Sequence, residues 1–341
     1  MRVKQQTSNR ASEPSVDSAS LYPLYPLCPL CNSQSQHEMT MPIDAKTFVP
    51  TAFGRIYRCG SCSMGAVQPR PTPADTASFY ALESYYTQGR SHLVEVGAPT
   101  LLSRVRTHLA WRADAGRRLE EVIAERLSAG SAVVDIGCGA GHLLESLARR
   151  GYRMTGIERD PNALSRRSQN VAVLEGSAEA LPIALKPGTF DGVVFSHVLE
   201  HLVDPAAAAR SAALLLKSGG MMFIEVPNNE SAIARQSKLA WEHLDVPRHI
   251  NFFDHQSLHA LATTANLAVQ ATYFCGYGRY FHDSYVATEQ RIFDRLTEQG
   301  HATFGTKRNS EASAWRLLAK TALAASRKKY DSIGIVATPI Q

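Results

Sequence analysis

The sequence predicts an α/β protein. A mostly parallel sheet is covered by helices on both sides, a small cysteine-bearing module precedes it, and a helical insertion precedes its last strand. Three observations carry that expectation. From residue 131 onward, short apolar runs alternate with helical segments, and such alternation builds crossover units around a parallel sheet. A glycine-opened turn, VVDIGCGAGHLL at 133–144, joins the first strand to the first helix. Two C-x2-C pairs, CPLC (Cys28, Cys31) and CGSC (Cys59, Cys62), stand together near the N-terminus.

The composition agrees. A length of 341 residues leaves room for an enzyme-sized domain and a smaller module. Hydrophobic residues at 44% and charged residues at 20% are the balance of an ordinary soluble globular protein. The formal charge of +5 is mild for this length, so nucleic acid is not expected as a partner. No run of 18 apolar residues occurs, so no membrane span and no membrane partner are expected. Residues 1–20 are polar and Ser-rich and lack the apolar segment of an export signal. They are expected to form a disordered tail. The protein is then expected in the cytoplasm, where cysteines stay free or bind metal.

Residues 21–70 form the cysteine module and run into a Pro-rich stretch, QPRPTPAD, that reads as a linker. Residues 71–130 read as linker and lid. SFYALESYYTQG is rich in aromatics, and 104–128 places Leu119, Val122, Ile123 and Leu127 on one helical stripe. The main domain is 131–341. SAVVDIG is its first strand, and HLLESLARRG its first helix, stopped by Gly151. RMTGIE is a strand, and DPNALSRRSQN a helix capped by Asp160 with Pro161 at its first position. VAVLEG is the third strand. FDGVVFS is the fourth, with the continuous apolar run of a strand buried on both faces. DPAAAARSAALLLKSGG repeats the Asp-Pro helix start and ends on glycine, and MMFIEVP follows as a strand. A loop at 228–250, a helix at 256–265 and a strand at 268–275 come next. A mostly helical stretch, 276–330, separates them from the last strand, SIGIVAT at 332–338.

Gly137, Gly139 and Gly141 lie at the carboxyl end of the first strand, where open parallel sheets bind ligands. Glycine tolerates positive φ and lets a ligand approach the backbone, and the following helix offers unpaired N–H groups. Glu158 closes the second strand, 21 residues after Gly137, in position to accept bonds from ribose hydroxyls. Asp135 precedes the glycines. A carboxylate there would repel a pyrophosphate and suits a ligand with a cationic part.

VVDIGCGAGHLL, GIERD, EGSAEALP, FDGVVFSHVLEHLVDP and LKSGGMMFIEVPN occur in that order. Together they resemble the motifs of class I S-adenosylmethionine-dependent methyltransferases, over roughly two-thirds of the chain. The resemblance implies a Rossmann-like sheet of seven strands, the last antiparallel and inserted next to the edge. It implies that Asp135, Gly137 and Gly139 contact the methionine part of the cofactor and that Glu158 binds the ribose. Arg159 would lie beside the adenine, Ser177, Ala178 and Glu179 at its edge, and Ser196 and His197 under the sulfonium. Tyr85 and Tyr86 belong to a segment that covers the cofactor in such enzymes, although an aromatic cluster there reads equally well as core.

A hydroxyl acceptor needs a base near neutral pH, and histidine suits that role. SHVLEHL offers His197, the first candidate, and His201 four residues on. HVLEH is also similar to the E-x-x-E-H pattern of some magnesium-dependent methyltransferases. His197 replaces the first acid of that pattern, and magnesium prefers oxygen ligands. WEHLDVPRHINFFDHQSLHAL, 241–261, supplies a second histidine group with His243, Arg248, His249 and Asn251. It reads either as an acceptor-pocket loop walled by Trp241, Phe252 and Phe253 or as a loop packed on the sheet edge. His249 is the second candidate base.

Two C-x2-C pairs supply the four thiolates of a tetrahedral zinc site, closed and therefore structural. About 50 residues with few large apolar side chains need such a staple to fold. A zinc ribbon ahead of this kind of domain resembles an arrangement among enzymes that act on sugars and natural products. The leading expectation is methyl transfer to such a small molecule, at oxygen, carbon or nitrogen, with oxygen favoured. A non-catalytic binding module and a nicotinamide-dependent oxidoreductase are the alternatives, the latter disfavoured because GCGAGH lacks the G-x-G-x-x-G spacing. The 276–330 insertion is expected to dimerise the protein, cap its pocket or contact a carrier.

Overall fold

The computed structural model of the protein describes residues 26–80, 93–160, 171–301 and 305–340. Three short strands open the chain: β1 (Ser35–Thr40), β2 (Arg55–Cys59) and β3 (Gly65–Val67). The main sheet is built from β4 (Ala132–Ile136), β5 (Arg153–Glu158), β6 (Ala172–Glu175), β7 (Phe190–Ser196) and β8 (Leu216–Pro227), followed after the two-residue β9 (Asn251–Phe252) by β10 (Leu267–Cys275) and β11 (Ser332–Pro339). Its order is β10-β11-β8-β7-β4-β5-β6. The central pairs are parallel, and β11 runs antiparallel between β8 and β10. This is the expected seven-stranded sheet with its inserted last strand.

The cores of β4, β7 and β8 are fully buried, as their continuous apolar runs require. Among the helices, α1 is Pro73–Ser78, α2 Leu101–Ala113, α3 Leu119–Arg126 and α4 His142–Arg149. The next, α5 (Pro205–Ala213), starts as the sequence predicts: Pro205 stands at its first turn, and the Asp204 carboxylate accepts from the Ala207 N–H at 2.8 Å. It ends earlier than expected, because Leu216–Gly220 joins β8 instead of extending the helix. The single helix expected over 104–128 is two, α2 and α3. Asp114 and Gly116 break it. The Asp114 carboxylate accepts from the Gly116 and Gly278 N–H groups, and a Cβ on Gly116 would meet Tyr330 at 2.8 Å. The helix expected at 160–170 falls largely outside the described residues, as do Tyr85 and Tyr86.

The cysteine module does not stand apart. Its strands form an antiparallel sheet in the order β1-β2-β3-β9, so a strand from the main domain completes it. The Asp44 carboxylate accepts two bonds from Arg248, at 2.8 and 2.6 Å. The stretch read as a linker is a strap: Arg70 donates to the carbonyls of Ile250 and Val203, each at 2.7 Å. The insertion is helical, as expected, with α8 (Asp283–Glu298), α9 (Glu311–Thr321) and α10 (Ser326–Lys329) following α6 (Ala232–Ser237) and α7 (His255–Thr264). Among the described residues no helix is long and apolar enough to cross a membrane.

Candidate functional site

A cavity of about 750 Å³ opens over the carboxyl ends of β4, β5 and β7. One end is the glycine turn. Gly137 and Gly139 adopt φ of 77° and 51°, a region open to glycine and strained for other residues. A Cβ on Gly137 would also stand 2.7 Å from Val198. The turn is held to β5: Gly137 and Cys138 N–H donate to the Ile157 carbonyl, and Gly139 N–H donates to Glu158 at 2.8 Å. The other Glu158 oxygen accepts from the Arg159 and Asp160 N–H groups, which leaves the carboxylate acceptor capacity for a hydroxyl. Asp135 is buried, and its Oδ1 has no hydrogen-bond partner. Burial, reinforced by Glu158, pushes its pKa up to about 7. Cys138 is a half-buried filler whose thiol is driven well up by burial and then by Asp135.

Ser177, Ala178 and Glu179 line the same cavity beside Arg159, and Ser196 lies beyond them. Glu179 also accepts from the Val203 N–H at 2.8 Å, which fixes its position. Among the described residues, every one expected from the sequence to contact the cofactor therefore faces one cavity; Tyr85 and Tyr86 lie outside them.

The far end carries four imidazoles. His197 has a φ of 55°, a strained backbone that non-glycine residues adopt where surrounding structure imposes it. Its Nδ1 lies 3.3 Å from Glu200 and its Nε2 3.3 Å from Glu225. Burial opposes charge on the ring, yet the two carboxylates outweigh burial and hold its pKa up at about 10. Glu200 would be raised by burial, but His197 and the neighbouring imidazoles bring it down to about 2. His197, the first candidate base in the sequence, is thus an imidazolium at neutral pH and has no lone pair to accept a proton.

His201 and His249 differ. Burial lowers both, His249 to about 4. The His201 Nδ1 lies 3.1 Å from the Arg248 carbonyl, with the Tyr80 hydroxyl at 2.8 Å. His249 Nδ1 lies 2.8 Å from the His243 carbonyl. A carbonyl only accepts, so in each ring Nδ1 carries the proton and Nε2 keeps the lone pair. One ligating atom each from Glu200, His201 and His249 lie within 4.8 Å of one another. The carboxylate–imidazole group with metal-ligand spacing therefore contains His249 where the sequence pattern put His197.

The 241–261 segment divides between the two readings. His243 lines the cavity, 3.3 Å from Glu242 on one side and Asp331 on the other. Trp241, Phe252 and Phe253 do not wall it: they are fully buried in the core. Arg248 is tied to Asp44 and Asp245. Asn251 donates to the carbonyls of Leu199 and Leu202, holding the turn that bears Glu200 and His201. Several lining residues escaped the sequence reading. Lys46 comes from the cysteine module, and Arg279 and Tyr285 come from the insertion. Glu225 had a legible signal as the lone acid in MMFIEVP. At the basic end of the insertion, Lys329 is buried and donates to the carbonyls of Ala113 and Ala322, each at 2.6 Å.

In the module, the Cys28 and Cys62 sulfurs are 3.5 Å apart, Cys31 and Cys59 3.5 Å, and Cys31 and Cys62 3.4 Å. Tetrahedral sulfurs around zinc, at about 2.3 Å from the metal, stand roughly 3.8 Å apart. The Leu30 and Ser61 N–H groups each point to the sulfur two residues before, the turn that presents paired thiolates. The geometry fits a four-thiolate metal site.

Residues 108–272 match a family model described as a methyltransferase domain. A curated ubiquinone biosynthesis O-methyltransferase of Chromobacterium violaceum is 31% identical over 177 residues, covering 47% of this chain and 74% of that protein. The protein of the same name from Albidiferax ferrireducens is 41% identical over 108 residues, covering 29% of this chain and 42% of that protein. That of Ralstonia nicotianae is 42% identical over 118 residues, covering 31% and 47%. The chain thus spans about half or less of the length of two of these three relatives. A solved putative methyltransferase from an antibiotic biosynthesis pathway of Anabaena variabilis aligns with a TM-score of 0.47 at 16% identity, covering 69% of this chain and all of that one. The three curated relatives are named for ubiquinone biosynthesis, not for the sugar or natural-product acceptors expected from the sequence.

Proposed function

The chain belongs to the class I S-adenosylmethionine-dependent methyltransferases, and from that premise we propose that it methylates a hydroxyl of a small-molecule acceptor seated among His197, His201, His243 and Arg279. One observation supports this most: the glycine turn and the imidazole cluster open into a single cavity. The orphaned oxygen of Asp135, buried beside Glu158, suits a ligand with an ammonium and a sulfonium. S-adenosylmethionine, when bound, supplies a methyl group already activated for in-line displacement. Asp135 and the backbone of Gly137 and Gly139 would hold its methionine part, and Glu158 its ribose, with Arg159, Ser177, Ala178, Glu179 and Ser196 around the adenosine.

The residues at the far end orient the acceptor and take its proton. In this reading the His197 imidazolium, both of its N–H groups held by Glu200 and Glu225, sets a positive charge beside the acceptor, and Nε2 of His201 or His249 accepts the proton of the attacking hydroxyl. The relatives' names favour oxygen over carbon or nitrogen, and a phenolic hydroxyl is the acceptor class to be tested. A second reading places a divalent cation on Glu200, His201 and His249, since one ionised carboxylate and two neutral imidazoles form a ready ligand set. Cys28, Cys31, Cys59 and Cys62 would hold structural zinc, and reduced thiolates suit a reducing compartment such as the cytoplasm.

The test is calorimetry with S-adenosylmethionine, followed by mass spectrometry of products from phenolic acceptors. Binding with appearance of a methylated hydroxyl supports the proposal. No binding removes it, and binding with transfer to carbon or nitrogen overturns the oxygen assignment.

A further inference from the structure

Helix α2 turns an apolar face to the outside. Leu101 is 76% exposed, Leu102 63%, Val105 43% and Leu109 45%. Leu101, Val105 and Leu109 fall four apart on one stripe with Leu102 beside it. Arg104, His108 and Arg112 form a second exposed stripe at the same spacing, and Trp111, 62% exposed, flanks it. Leu101–Ala113 contains no acidic residue. A lone apolar residue on a surface is ordinary; four on one helical face are not.

The opposite face of the helix is firmly anchored. Arg106 is fully buried, donates to the Phe281 carbonyl at 3.1 and 3.0 Å, and pairs with Asp283 and Glu311. The Thr107 hydroxyl donates to the same carbonyl at 2.9 Å. The exposed arrangement is therefore fixed by the buried one.

We propose that α2 is a peripheral docking helix for an anionic lipid surface. The chemistry is complementary: aliphatic side chains enter the acyl boundary while arginines meet headgroup phosphates, with a tryptophan at the interface. Exposed leucines beside arginines, with no acid on the helix, complement an anionic surface, and nucleic acid has no use for the leucine stripe. The Phe281 carbonyl that grips α2 follows Arg279 by two residues, and Arg279 lines the cavity. Docking would bring lipid to the side of the protein whose inner layer carries the acceptor wall. The absence of a membrane-crossing helix concerns spanning alone and leaves this mode open. The inference does not rest on the methyl-transfer reading.

The experiment is co-sedimentation of the full chain with vesicles of phosphatidylcholine alone or mixed with phosphatidylglycerol, with light scattering run in parallel. Two double variants, Leu102→Glu/Leu109→Glu and Arg104→Glu/Arg112→Glu, alter exposed positions, and an unchanged thermal midpoint confirms their folding. The expected result is sedimentation with anionic vesicles, weakened by salt and reduced at least tenfold in both variants. Equal sedimentation of all three proteins, or none with either vesicle, overturns the proposal. So does a dimer that the leucine variant converts to monomer without any vesicle binding, which would assign the face to a second copy of the chain.

Discussion

His197 and Glu225 face each other across adjacent parallel strands, with the imidazole Nε2 3.3 Å from the carboxylate. The backbone repeats the link: the His197 N–H donates to the Glu225 carbonyl at 2.9 Å. The pairing of β7 with β8 puts Ser196 opposite Glu225, so strand register delivers the acid to the ring.

This pairing sets a pH signature for stability. The folded-state pKa of His197, about 10, lies above its unfolded value near 6.5. Its stabilisation is therefore complete below about 6.5 and is lost as pH rises through 10. Glu200 is the mirror case: its folded value, about 2, lies below 4.5, so its contribution is present above 4.5 and lost as pH falls through 2. His197→Gln would leave two buried carboxylates without their cation, at a cost of about 3 kcal/mol. Denaturant unfolding at pH 7 and pH 10 should show a large gap between wild type and variant at pH 7 and a smaller one at pH 10. A gap that does not change with pH would refute the assignment of charge.

Asp135 predicts a pH dependence for cofactor binding. Its pKa near 7 in the free protein means that a cationic ligand must draw off a proton. Affinity for S-adenosylmethionine should rise with pH through 7 and level off above 8, about one pKa unit past the titration. Asp135→Asn should weaken binding about tenfold and flatten that dependence. Calorimetry across pH reads both.

His201→Ala and His249→Ala separate the two candidate bases. Loss of a general base lowers turnover by about a hundredfold or more while leaving cofactor affinity intact. A His249→Ala protein with full turnover would leave His201 as the proton acceptor. Turnover of His197→Gln should fall without the acid-side shift that loss of a base produces.

The thiolate cluster should hold a single zinc, measurable by metal analysis of purified protein. Cys59→Ser should remove it and lower the thermal midpoint, since structural zinc supplies folding free energy to a module too small to fold alone. Lys46 belongs to that module and lines the cavity, so zinc loss should raise the acceptor KM more than the Kd for S-adenosylmethionine. Equal changes in both would argue against a module that shapes only the acceptor end.

The sheet was legible because its strands are apolar throughout and its helices carry Asp-Pro starts and glycine turns, all local signals. The glycine-turn end of the cavity was legible for the same reason: Asp135, Gly137, Gly139 and Glu158 sit at strand ends that periodicity locates. The acceptor end was not. The charge on His197 depends on Glu225, which reaches it only through strand pairing. Trp241, Phe252 and Phe253 look like pocket walls by composition, and only packing shows them to be core. The Asp114–Gly116 break depends on Gly278 and Tyr330, far along the chain. No pattern in a two-residue strand announces that Asn251–Phe252 will close another module's sheet.

That shared sheet governs how the chain can be cut. A protein trimmed to begin near residue 100 would keep the entire methyltransferase motif set but strip β3 from β9 and Asp44 from Arg248. It would bare a strand edge and take one of two carboxylates from the buried Arg248 guanidinium, and unpaired edges recruit neighbouring molecules. Such a fragment should clump when expressed alone, so the amino-terminal module and the domain behind it are one folding unit.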